Sequence, residues 1–368
     1  MKNSAALILF FLLLCTSSCQ IGRFVFYNFA GINDYKIFPE RVLTKAPVPF
    51  TFHEASNTVS VPKKITYQDR SYDFDDFLSK EKTVGFLIIR NDTILYENYF
   101  RGKERSSIVP SFSMAKSFCS ALIGCAIADG YIKSVNEPVT NYVPELKKNG
   151  FDSVTIKHVL QMTTGIKFNE GYFNPFGKVA AFYYGRKLRK KVLKIKTAYK
   201  AGTKFEYKSG NSQLLGLILD RALKTKTISA YLQEKIWTPL GMEYDASWSI
   251  DMKKNGLEKT FCCINARMRD YAKFGRLYLN KGKWNGQQII PESWVNESTR
   301  IDETAGSKWY YQYQWWICSR TEGDYMAQGI LGQFIYVYPK KNIVIVRLGK
   351  KNGDAYWPEV FRNLARSL

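Results

Sequence analysis

A serine three residues before a lysine, Ser113-Met114-Ala115-Lys116, is the arrangement in this chain best suited to cofactor-free chemistry. On a helix, positions i and i+3 are neighbours, so the amine can reach the hydroxyl and lower the energy of a developing alkoxide. The following residues, from Phe118 to Ala128, are apolar nearly all round, which requires a buried helix. A charged, unpaired lysine one turn into such a helix costs several kcal/mol. Lys116 therefore either does chemistry or snorkels to the surface with Ser113 as a plain N-cap. The same pattern recurs at Ser60–Lys63 and Ser79–Lys82, but Pro62 keeps the first out of a helix interior and the second lies in a charged stretch.

Tyr207-Lys208-Ser209 stands just before an apolar helix starting at Ser212. A phenol with an ordinary pKa near 10 is a poor base. Beside Lys116 its phenolate is favoured, and Tyr207 could then take the proton of Ser113 and return it to a leaving group. The alternative is a turn aromatic packed at a helix entry. Ala327-Gln328-Gly329-Ile330-Leu331-Gly332-Gln333 leads into an apolar strand, Phe334 to Tyr338. Its glycines permit close backbone approach, so a free N–H there could face that of Ser113 as an oxyanion hole. A simple glycine-rich turn fits the same residues.

Positioning these groups takes a sheet and a helical layer. Thr83 to Phe100 reads as a β-hairpin around Arg90-Asn91-Asp92-Thr93, and Phe86-Leu87-Ile88-Ile89 is too continuously apolar for a strand with one wet face. Tyr311–Ser319, Gly332–Tyr338 and Asn342–Leu348 read as further strands, and Tyr356–Leu368 as a closing helix. Helical periodicity dominates between them, at Val154–Gln161, Ser212–Leu223 and Ala266–Leu279. The fold class expected is α/β (α+β): an antiparallel sheet built from both chain ends and flanked by helices, with a large helical insertion. The divisions are a signal peptide over 1–18, an irregular N-terminal arm over 19–80, a sheet domain over 81–111 and 300–368, and a helical domain over 112–299. The active site is expected in the cleft between the last two.

Composition narrows the chemistry further. Only His53 and His158 are present, so a three-histidine zinc site is impossible, and there is no H-E-x-x-H, Cys-x-x-Cys or glycine-rich phosphate loop. No metal or cofactor is expected. The chain carries 54 Lys+Arg against 32 Asp+Glu, a formal charge of +22, yet no nucleic-acid-binding motif accompanies that excess. The densest basic run, Arg186 to Lys204, reads as a solvated helix face and loop, or as a surface for anionic envelope material. Lys2, the ten apolar residues Ala5–Leu14, and Thr16-Ser17-Ser18-Cys19 form a leader too short to cross a membrane. The leader resembles a bacterial lipoprotein signal cut before Cys19, with an ordinary secretory signal as the other reading. Export to the periplasm or outer membrane, with a lipid anchor on Cys19, follows from the first. Cys119 and Cys125 point to different faces of one helix, and no disulfide framework is expected.

The three elements in this order, with the blocks Thr155–Gly165, Gly202–Tyr207 and Asn265–Leu277, resemble the β-lactamase-related serine hydrolases. That group includes class C β-lactamases, D-alanyl-D-alanine carboxypeptidases, family VIII esterases and, nearest in look, 6-aminohexanoate-dimer hydrolases; the likeness spans roughly residues 80–365. It implies Ser113 as nucleophile, Lys116 as its activating partner and Tyr207 as general base and acid, with the N–H groups of Ser113 and Ile330 as the oxyanion hole. Ser209, Tyr172 on a mobile loop, Gln328 and Gly329 are implied as substrate-binding. The small ester or amide substrate follows from one departure: Ala327 stands where penicillin-processing relatives carry a Lys or His to receive a carboxylate. His158 is expected to be a packed structural residue. A silent envelope-binding protein of the same fold and a transacylase are the rival functions, and oligomeric state is left open.

Overall fold

In the computed structural model the described residues are 23, 24, 27, 29–55 and 63–368, so the leader, with the expected cleavage and lipidation at Cys19, lies outside them. The apolar Phe86–Ile89 run lies in strand Thr83–Arg90, buried along nearly its whole length. It sits inside an eight-stranded sheet ordered Tyr311–Gln312, Trp315–Ile317, Tyr325–Gly329, Gln333–Tyr338, Ile343–Gly349, Thr83–Arg90, Thr93–Tyr99 and His53–Glu54. Every neighbouring pair is antiparallel except the last, where His53–Glu54 runs parallel to Thr93–Tyr99. Strand alternation sends Phe86 and Ile88 to one face, against Phe74, Trp357 and Phe361 of helices Phe74–Lys80 and Trp357–Ser367. Leu87 and Ile89 go to the other face and join the main core. The hairpin turn is Asn91-Asp92, both at positive φ (50° and 60°), the backbone a tight two-residue turn demands.

Several elements differ from the sequence reading. Parts of the arm over 19–80 are regular: Glu40–Leu43 pairs with Ala246–Ser249, Lys64–Tyr67 pairs with Arg70–Asp73, and Asp73 caps the helix Phe74–Lys80 by accepting from Asp76 N. The region over 112–299 is not purely helical, because Ala246–Ser249 and Ile264–Ala266 join Glu40–Leu43 and Val109–Pro110 in a second, four-stranded sheet. These strands are short and their partners lie far along the chain, so no local periodicity announces them. The helix Met268–Leu279, read as part of the helical layer, lies on the sheet: a Cβ on Gly275 would meet Val344 and Ile335. Its Phe274 stacks on Phe118 of helix Ala115–Ala128, with ring centroids 3.7 Å apart.

Tyr311–Ser319 is two strands, broken at Tyr313 and Gln314, both at positive φ (36° and 68°). The break turns Gln314 inward. Its carbonyl accepts from Ser117 of helix Ala115–Ala128 at 2.8 Å, and its Oε1 accepts from Ser212 of helix Ser209–Leu223 at 2.7 Å. Its Nε2 donates to Leu160 O at 2.8 Å. One buried amide thus ties together the helices that follow Ser113 and Tyr207. Gln314→Met should leave a hydroxyl and a carbonyl unpaired in the core and cost roughly 2–4 kcal/mol. Urea denaturation should show a lower midpoint at unchanged slope.

Candidate active site

Ser113 lies in the 3-10 turn Phe112–Met114 that leads into helix Ala115–Ala128, and Phe112 before it has φ +44°. That left-handed residue turns the chain sharply, so the Ser113 hydroxyl faces the cleft while its neighbours are buried. Lys116 does not snorkel to the surface. It is 1% exposed, with Nζ 2.8 Å from Ser113 Oγ and 2.7 Å from Phe261 O. The amine also lies 5.1 Å from the centre of the Tyr207 ring. Among the described residues no carboxylate forms an ion pair with it.

Tyr207 ends the segment before helix Ser209–Leu223 and packs its ring edge-on against Tyr311, with centroids 5.9 Å apart. Its phenol and the Ser113 hydroxyl line the same cleft, and the hydroxyl is near enough to favour the phenolate. The third element leads into the strand Gln333–Tyr338 as expected, and its first residues belong to a preceding strand that the sequence did not announce. Ala327-Gln328-Gly329 ends the strand Tyr325–Gly329, and Ile330–Gly332 is the turn into Gln333–Tyr338. This strand pairs with Gln333–Tyr338 along its whole length but with Trp315–Ile317 only at Tyr325 and Met326, so at Ala327–Gly329 one edge is left unpaired, as a free N–H there requires. Gly329 still meets the nucleophile turn, since a Cβ there would sit 2.4 Å from Ser111 O and 3.1 Å from Ser113 N. Arg347 fixes the turn, donating to Gly332 O at 2.8 Å and to Thr83 Oγ1 at 3.0 Å.

A cleft of about 350 Å³ is lined by Ser113, Tyr172, Tyr207, Trp316, Gln328, Gly329, Ile330, Leu331 and Asn352. It collects the expected residues except Lys116, behind Ser113, and Ser209, which lies to one side. Glu170 explains the position of Ser209. Its carboxylate accepts from Ser209 N at 2.7 Å, from Ser209 Oγ at 2.5 Å and from the Tyr172 hydroxyl at 2.9 Å. Sequence reasoning passed over Glu170. Its only signal was an acidic residue two positions before Tyr172 on a loop, and that loop's fold is not legible locally. His158 behaves as expected: it completes a capping box with Thr155 at the start of helix Ile156–Leu160. In the basic run, Arg189 pairs with Asp220 and Lys204 with Glu206, while Arg186, Lys190, Lys194, Lys196 and Lys200 are exposed.

Burial sets the charges. Desolvation pulls the Lys116 amine down to about 7, with the Glu170 carboxylate opposing in part. Burial drives the Tyr207 phenol above its usual value, opposed by the neighbouring Ser113 hydroxyl and reinforced by the charge of Glu170. The expectation that Lys116 would favour a phenolate is therefore reversed, because desolvation outweighs the neighbouring amine. At neutral pH Tyr207 is a proton donor. Another finding outside the sequence reading adjoins Lys116: Cys262 and Cys263, directly after Phe261, are joined in a disulfide. Neighbouring cysteines close no long loop, so reasoning about staples does not see the pair.

The β-lactamase family profile matches residues 74–366. The chain is similar to the 6-aminohexanoate-dimer hydrolase of Paenarthrobacter ureafaciens, with 27% identity over 307 residues covering 78% of this chain and 76% of that one. A solved structure described as a candidate 6-aminohexanoate-dimer hydrolase from Bacillus anthracis superposes with a TM-score of 0.80 at 24% identity, covering 91% of this chain and 92% of that one. A family VIII carboxylesterase shares the fold at a TM-score of 0.62 and 17% identity, covering 80% of this chain and 94% of that one.

The buried amine has a consequence for stability. Between about pH 7 and its ordinary value of 10.5, the unfolded chain holds a Lys116 proton that the folded chain has lost. Stability therefore rises with pH in that window, and the full penalty is present below it. Relative to Lys116→Met, the wild type should gain up to about 1.4 kcal/mol per pH unit between pH 7 and 9. Paired urea titrations at several pH values measure this difference; a flat difference would mean the amine stays charged in the fold.

Proposed function

Given that the chain belongs to the β-lactamase family of serine hydrolases, we propose that it cleaves an uncharged ester or simple amide through an acyl-Ser113 intermediate, with water as the second nucleophile. The observation that carries this reading is the Lys116 amine, depressed to about 7 and 2.8 Å from Ser113 Oγ. Neutral Lys116 accepts the Ser113 proton as Oγ bonds to the carbonyl carbon. The oxyanion receives the N–H groups of Ser113 and Ile330, a role supported by the close approach of Gly329, next to Ile330, to the Ser113 amide. As the tetrahedral intermediate collapses, the bond to the leaving oxygen or nitrogen breaks and Tyr207 gives that atom a proton, recovering one from Lys116. Water then attacks the acyl-serine by the same path and restores the Ser113 hydroxyl.

Two features support uncharged substrates. Ala327 is buried and offers no cation for a substrate carboxylate, and Gln328 faces the cleft in its place. The names of the relatives, a 6-aminohexanoate-dimer hydrolase and a family VIII carboxylesterase, agree with a hydrolase of this kind.

Wild-type protein should label with a fluorophosphonate probe and turn over p-nitrophenyl butyrate, and Ser113→Ala should abolish both; turnover retained in that variant would overturn the reading. Tyr207→Phe should lower kcat by about 10²–10⁴. The logarithm of kcat/KM should rise with unit slope to a plateau above about pH 7. Glu170→Gln should move that limb to lower pH, because the carboxylate supports the ammonium form of Lys116. A limb that moves upward instead would contradict the electrostatic assignment.

A further inference from the structure

Beside the polar cleft lies a second cavity of about 210 Å³ that opens on the same Ser113 and Ile330. Its walls are mostly apolar, with no charged side chain among them: Phe24 and Phe29 from the N-terminal arm, Phe173 from the loop after Tyr172, Ala180 and Tyr183 from helix Lys178–Tyr183, and Phe261, with Tyr172 and Ser209 on the side toward Glu170. Phe24 and Phe29 meet edge-on at 5.9 Å, and Phe29 meets Phe173 at 5.2 Å, so arm and loop close one wall together. Tyr207 lines the polar cleft and not this cavity. The group that takes a proton from Tyr207 is the leaving group, so the leaving group belongs in the cleft with Gln328 and Asn352. The acyl group must then project the other way.

Resting on the acyl-Ser113 reading, we infer that the apolar cavity is the acyl site and that the protein's substrates carry an uncharged, apolar acyl group of roughly six to eight carbons. The size follows from volume: an apolar cavity of about 150 Å³ takes up benzene, so one somewhat larger holds a ring or chain slightly longer than that. The chemistry follows from the walls, since a carboxylate or ammonium on the acyl chain would be stripped of water there without a partner. The arm residues are therefore part of the specificity surface.

The test is the specificity profile of the full chain across p-nitrophenyl esters from acetate to dodecanoate, each kept below its micellar concentration. kcat/KM should climb by up to about fourfold per methylene to hexanoate or octanoate, then level or fall. Ala180→Phe, which fills the cavity, should cut the octanoate-to-acetate ratio of kcat/KM at least tenfold. Phe29→Ala should lower the same ratio severalfold, and because Phe29 is 50% exposed this change carries little folding risk. A flat or falling profile in wild-type protein that labels with fluorophosphonate would overturn the acyl-site inference alone. Wild-type protein that does not label would overturn the Ser113 reading and the inference with it.

Discussion

The site depends on the burial of one amine without a counter-ion. Lys116 Nζ is bracketed by a hydroxyl and a carbonyl, Ser113 Oγ and Phe261 O. Both can accept a hydrogen bond, yet neither repays the loss of water for a full charge. A comparison within the molecule shows why this matters. Arg347 is equally buried, donates to Gly332 O, Thr83 Oγ1 and Glu81 O, and is pulled down by desolvation to about 9. Starting from a higher intrinsic value it remains a cation at neutral pH and serves as a structural clamp. Lysine starts lower, and the same penalty brings it to where the neutral form is abundant and a proton can be accepted.

The rest of the fold keeps that amine dry and brings distant segments to it. Helix Ala115–Ala128 is buried along almost its whole length and held to helix Ser209–Leu223 through Gln314. The turn after Gly329 reaches the Ser113 amide only because no Cβ intervenes, and Arg347 holds that turn from behind. Glu170 occupies a middle position: close enough to bond Ser209 and Tyr172, far enough not to pair with Lys116, so it tunes the amine without neutralising it.

What the sequence made legible was what local spacing encodes. The Ser113–Lys116 pair, the doubly covered strand through Phe86–Ile89 and the Asn91-Asp92 turn can each be read from a few consecutive residues. The closing helix follows in the same way from the stripe of Val360, Phe361 and Leu364. What escaped it depends on partners far along the chain. Glu40–Leu43 is a strand because Ala246–Ser249 lies beside it, and Gln314 matters because three other elements present groups to it. The protonation of Tyr207 was misread for a related reason. Proximity to Lys116 could be inferred from motif order, but the depth of burial could not, and burial decided the sign.

The most direct test of this account is to titrate the Lys116 side chain itself, following its ε-carbon or Nζ resonance by NMR in isotopically labelled protein and assigning it by its loss in Lys116→Met. A midpoint near 7 is expected. A lysine that holds its proton to near its ordinary value, about 10.4, would contradict it, since an ammonium at Ser113 could not receive the serine proton.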